Sequence, residues 1–169
     1  ARLRELGYDA WQDESLNVIA EIAPCEGLEH MPMIALQAHM DMVVAVSGRF
    51  DPEHDSVHAV VEGNILHTDG TSSMGAENGV GIAALLYTMG RSDLRHGPLK
   101  LIFTSGEEVG LRGARLLSSG VLEDVRYLIN LDGFHSDRAI VGCMGGKREI
   151  FRHPITSHTV PEDCAGVRL

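Results

Sequence analysis

The stretch MIALQAHMD, residues 33–41, is a short apolar run that stops at His39 and reaches an aspartate two positions later. Its length and composition read as a strand rather than a helix. The same pattern recurs downstream. PLKLIFTS (98–105) gives way to Gly106, Glu107 and Glu108, and VRYLINLD (125–132) runs into Asp132. LNVIAEIA (16–23) reads as a further strand, and HAVVEGNILHT (58–68) as a hairpin turning at Gly63 and Asn64. After the cluster GAENG (75–79), residues 78–89 are apolar on every side and read as a buried helix. GLRGARLLSSG (110–120) reads as a second helix and RAIVGCM (138–144) as another strand. Strands alternating with helices predict an α/β domain.

In an open α/β sheet the ligand crevice lies beyond the carboxyl ends of the parallel strands, so the residues at which each apolar run stops carry the most information. Here they are acids and a histidine: His39 and Asp41, Glu107 and Glu108, Asp132, with Glu77 at the mouth of the long helix. Taken singly, each has an ordinary explanation. A histidine can close a strand, a Glu-Glu pair can face solvent, Asp132 can form a turn before Gly133, and Glu77 can complement a helix N-terminus. Their recurrence at every strand end points elsewhere. Five carboxylates gathered in one crevice raise one another's pKa values unless cations neutralise them. One imidazole among several carboxylates suits zinc, with manganese or cobalt as substitutes, better than calcium. In a strand, His39 and Asp41 share a face, so Asp41 is expected to orient the imidazole. Adjacent Glu107 and Glu108 are expected to diverge, one binding metal and the other serving as general base.

The remaining features narrow the classes. The chain has 169 residues, 44% hydrophobic and 22% charged, with a formal net charge of -10. It carries no Lys/Arg-rich block, which argues against nucleic acid or an anionic membrane as partner. No apolar run reaches the length of about 18 residues that spans a bilayer. Cys25, Cys143 and Cys164 form no C-x-x-C pair and fit a reducing, cytoplasmic setting. His135, three residues beyond Asp132, is the one other histidine placed near the strand ends; the rest lie in polar or loop contexts. The domain is expected over 1–150, with 151–169 a tail or the start of a further region.

In their order, LQAHMDMV (36–43), DGTSSMGAENGVGIAA (69–84), HGPLKLIFTSGEEVGLRGA (96–114) and LINLDG (128–133) resemble the di-zinc metallopeptidase family of aminoacyl-histidine dipeptidases, carnosinases and related carboxypeptidases. The likeness runs from about residue 3 to 146. It implies a three-layer α/β/α domain of the zinc-exopeptidase kind, with a mostly parallel mixed sheet, incomplete here. It also implies hydrolysis of short peptides, Xaa-His dipeptides in particular, by two Zn2+ ions bridged by a carboxylate and a water or hydroxide. On that resemblance His39 and Asp132 belong to one zinc site, Glu108 to the other, and Glu77 bridges them. Asp41 holds His39, and Glu107 is the general base. The family writes Asp where this chain has Glu77, and follows the Asp132 position with Ser/Thr and Glu where this chain has Gly133, Phe134 and His135. Family members continue into a lid or dimerisation region and return with a last histidine ligand. The 169 residues are therefore expected to be a segment that starts within the N-terminal helical region and has low or no activity alone, the full-length protein being a candidate homodimer. A non-catalytic metal-binding derivative, and an N-acyl amino acid amidohydrolase of the same family, are the alternative readings.

Overall fold

The computed structural model describes residues 1–47, 50–133, 137–142, 145 and 149–154. The expectations that fall on His135, Cys143, Met144, Cys164 and residues 155–169 lie outside these. The chain divides into a unit Ala1–Phe134 and a second unit His135–Leu169, and every helix and strand among the described residues lies in the first. Residues 138–142, expected as a strand, form neither helix nor strand. No helix among the described residues is long and apolar enough to cross a membrane.

The elements are α1 (Arg2–Glu5), β1 (Ala10–Gln12), β2 (Val18–Ile22), β3 (Met33–His39), β4 (Ala59–Glu62), β5 (Ile65–Thr68), α2 (Ala76–Met89), β6 (Leu99–Thr104), α3 (Arg112–Leu116), a 3-10 turn (Ser119–Leu122) and β7 (Val125–Asn130). Five strands form one mixed sheet in the order β1-β2-β6-β3-β7. β1, β2 and β6 pair antiparallel, while β3 lies parallel to both β6 and β7. β4 and β5 make the expected hairpin, with Glu62 opposite Ile65.

All six residues of β6 are buried, as its place between β2 and β3 requires. Leu99, Leu101 and Phe103 pack in one cluster with Ala38, Leu85 and Met89, which lays α2 on one face of the sheet. On the opposite face, Ile102 lines a cavity together with Leu111, Ala114 and Leu117 of the α3 region. Helices on both faces give the expected three layers, incompletely covered: Tyr127, Leu128 and Ile129 of the edge strand β7 are about half exposed.

Two helices differ from expectation. α2 is buried only along Asn78, Gly81, Leu85 and Met89, a stripe of helical spacing, while Val80 and Tyr87 face outward. Its apolar composition on every side therefore does not correspond to burial on every side. The second helix stops at Leu116, because Leu117 and Ser118 are extended before the 3-10 turn. The run Ser118-Ser119-Gly120 has weak helix propensity, so little opposes that break.

Lys100 lies in the middle of this fold, 2% exposed. Its ammonium donates to Asp124 at 2.7 Å and to the Val121 carbonyl at 2.9 Å, and pairs with Glu21 of β2 at 3.1 Å. Burial works to lower its pKa, but the two carboxylates outweigh that and hold it above the ordinary lysine value. A group whose folded pKa is raised stabilises the fold fully below its unfolded pKa and loses that contribution as pH climbs through the folded value. Lys100→Met is expected to cost about 1–2 kcal/mol, because the partly exposed acids can rehydrate. Urea unfolding of both proteins should show this difference constant to about pH 10 and shrinking above it.

Candidate metal centre

Parallel pairing builds the site. β3 hydrogen-bonds to β6 with His39 opposite Thr104, and to β7 with Gln37 opposite Asn130. The chain beyond Thr104 therefore starts beside His39, and the chain beyond Asn130 starts one strand away on its other side. From the first come Glu107 and Glu108; from the second comes Asp132, whose amide donates to the Asn130 side chain at 2.6 Å. Glu77 arrives from α2. The backbone leaves helical angles at Glu77 and Asn78, so Glu77 stands off the regular helix that follows.

His39 is 1% exposed. Its Nδ1 lies 2.8 Å from the main-chain carbonyl of Asp41 and its Nε2 lies 2.8 Å from Glu77 Oε1, with Asp132 Oδ2 at 3.9 Å. A carbonyl can only accept, so Nδ1 carries a hydrogen and Nε2 is the nitrogen turned to the acids. Burial works to depress the His39 pKa, but the hydrogen bond and charge of Glu77, with help from the Asp41 carbonyl and Asp132, raise it above the usual value.

Asp41 holds a different partner from the one expected. Its carboxylate stands 3.7 Å from Nδ1, while Oδ1 accepts the Glu107 amide at 2.9 Å and Oδ2 the Glu108 amide at 3.1 Å. β3 ends at His39, so Asp41 no longer follows strand alternation and its carbonyl takes the role foreseen for its side chain. Burial alone would raise the Asp41 pKa, but the two amide donors bring it below the ordinary carboxylate value.

Ligand atoms of His39, Glu77 and Asp132 lie within 4.8 Å of one another, and so do those of His39, Glu107 and Glu108. All six residues singled out in the sequence thus meet at the carboxyl end of β3. Glu107 and Glu108 do not diverge as extended neighbours would; both reach His39, which is the member common to the two groups. Burial raises the pKa of Glu107, partly offset by His39, and burial together with the neighbouring Glu77 raises that of Asp132. A cavity of about 190 Å³ opens beside them, lined by Glu107 and Asp132 together with Gln37, Thr104, Leu128 and Asn130.

Sequence reasoning passed over two asparagines. Asn17 and Asn78 are both buried and both sit against the segments that carry the acids. Asn78 had a signal in its place beside Glu77. Asn17 had only the nearby Asp13, whose side chain accepts the Ser15 amide two positions on, as in a local side-chain turn.

The model of Peptidase family M28 matches residues 17–160. The cytosol non-specific dipeptidase of Escherichia coli (strain K12) is 31% identical over 145 residues, covering 85% of this chain and 30% of that protein. Among solved structures, the aminoacylhistidine dipeptidase of Vibrio alginolyticus superposes with a TM-score of 0.68 at 32% identity, over 77% of this chain and 26% of the other. A tripeptidase from Staphylococcus aureus gives 0.65 at 26% identity, over 78% and 35%. The chain spans roughly a third of the length of these relatives.

The close packing beneath Glu77 yields a test. Asn78 is 3% exposed, and a Cβ placed on Gly81 would lie 2.0 Å from its Oδ1. Gly81→Ala is expected to destabilise by about 1–3 kcal/mol through overpacking. In an Asn78→Ala background the same change should cost less, leaving only the Leu131 carbonyl oxygen, 3.1 Å away, close to the added methyl, so a double-mutant cycle read by thermal unfolding should show coupling.

Proposed function

The chain belongs to peptidase family M28, and from that premise we propose that its site hydrolyses short peptides, dipeptides of the Xaa-His type foremost, with two divalent metal ions, zinc before manganese or cobalt. The observation that carries this reading is His39: almost fully buried, with Nε2 aimed at carboxylates delivered by two separate elements. An imidazole nitrogen among carboxylate oxygens is the donor set that zinc accepts, and the raised pKa values of Glu107 and Asp132 mark a crowding of acids that cations would relieve.

His39 and Asp132 would hold one ion and Glu108 the other, with Glu77 as the carboxylate between them. When bound, such ions polarise a carbonyl oxygen and lower the pKa of water. The chain's own groups do the rest. The Asp41 carbonyl fixes the imidazole with hydrogen on Nδ1, leaving Nε2 for a ligand. The Asp41 carboxylate fixes the backbone at Glu107 and Glu108. Glu107 takes a proton from the attacking water and returns it to the departing amine, and the upward push on its pKa brings it nearer the working pH. A cytosolic setting, as in the name of the Escherichia coli relative, belongs to the same proposal.

Zinc content and turnover of the whole protein on a dipeptide panel test it; an absence of both metal and cleavage would sink it. Glu107→Gln should lower kcat by about 10²–10⁴-fold with metal content unchanged. His39→Ala should lose metal itself, measured by elemental analysis after dialysis.

A further inference from the structure

Asn17 touches none of the site's ligand atoms, yet it is completely buried and fully engaged. Its Oδ1 accepts the Ser105 amide at 3.1 Å, while Nδ2 donates to the Gly113 carbonyl at 3.0 Å and to Asp13 Oδ2 at 2.8 Å. Asp13 is fixed in turn, because its Oδ1 accepts the amides of Ser15 and Asn17, each at 2.9 Å. Residue 105 opens the loop that carries Glu107 and Glu108 and residue 113 lies in the first turn of α3 that follows it, so one carboxamide grips the chain on both sides of that loop. The Gly113 amide also donates to the Ser105 carbonyl at 2.8 Å, which draws the loop's ends together. The fit is tight. A Cβ on Gly113 would lie 2.2 Å from Asn17 Oδ1 and 2.4 Å from the Ser105 carbonyl oxygen.

We propose that Asn17 is a positioning residue for Glu107 and Glu108: its carboxamide sets the base of their loop, while Asp41 sets the loop's tip against His39. This rests on the metal-peptidase reading of the site for its consequence and on the hydrogen bonds for its geometry. The other group, Glu77 and Asp132 with His39, comes from α2 and from the chain after β7, whereas the hydrogen bonds of the Asn17 side chain go to Asp13, Ser105 and Gly113. Loosening the grip therefore weakens one half of the site and spares the other. A residue that served the fold alone would weaken both.

Two measurements on the whole protein separate these outcomes. Hydrogen exchange in Asn17→Ala should quicken about tenfold at the amides of residues 105–113, with α2 unchanged. In a zinc competition titration, the binding step that needs Glu108 should weaken about 10- to 100-fold while the other holds. Asp13→Asn removes only the acceptor behind Nδ2 and leaves the core filled. It carries the same test should Asn17→Ala not fold, with roughly threefold faster exchange in the loop. Unchanged exchange at residues 105–113, or acceleration spread evenly over the sheet and α2, would overturn the proposal. A wild-type protein that takes up no zinc would sink the metal reading, and the exchange comparison would still decide on Asn17.

Discussion

Strand β3 hydrogen-bonds to β6 on one side and to β7 on the other, all three running in the same direction, and the site exists because of that arrangement. Chain order would put β3 next to neither of them. The excursion through the hairpin and α2 returns the chain as β6, and the α3 region then carries it past β3 to its far side. Two crossovers in opposite senses leave an opening at the carboxyl end of β3, and parallel α/β sheets bind ligands at such openings. His39 is the last residue of β3 and occupies that point. A small side chain makes room for α2: Ala38 is fully buried in one cluster with Leu85 and Met89, and α2 settles on that face of the sheet near enough to deliver Glu77.

Around His39 the acids differ because their hydrogen-bond donors differ. Asp41 receives two main-chain N–H groups and is held in its charged form despite burial. Glu107 and Asp132 have burial and like charge against them, and their pKa values rise. His39 is raised by its acidic neighbours. Two neighbouring carboxylates of equal intrinsic acidity, Asp41 and Asp132, are thus driven in opposite directions by backbone placement. The one that supports the loop stays ionised, while those that face the opening hold protons more readily.

Much of this was legible in the residues, and the limits have physical causes. The strands from residue 16 to 130 announce themselves because each is a compact apolar run closed by a polar residue, and the hairpin because Gly63-Asn64 suits its turn. The gathering of the six residues around His39 was legible because strand ends are where such sheets bring polar groups together, and the relatives bear out the family resemblance that the order of the motifs suggested. The exposure of α2 was not legible. Val80 and Tyr87 are apolar, and composition records what a side chain is rather than what covers it. The role of the Asp41 carboxylate was hidden because β3 ends at His39, two residues before Asp41, where strand alternation no longer applies. Asn17 was hidden because its partners, Ser105 and Gly113, are distant in sequence and are reached through their main-chain atoms, which a one-dimensional pattern does not display.

β7 carries a further consequence. It is the last strand of the sheet, and among the described residues its outer edge has no neighbour, while Tyr127 and Ile129 are half open to solvent. An edge of unpaired peptide groups is a template for another strand. A strand added there would lie one strand beyond β7 and two beyond β3, on the side from which Asp132 approaches His39. The strand order thus leaves the sheet room to grow on the side from which Asp132 enters, while the Glu107 and Glu108 side is already covered by β2 and β1.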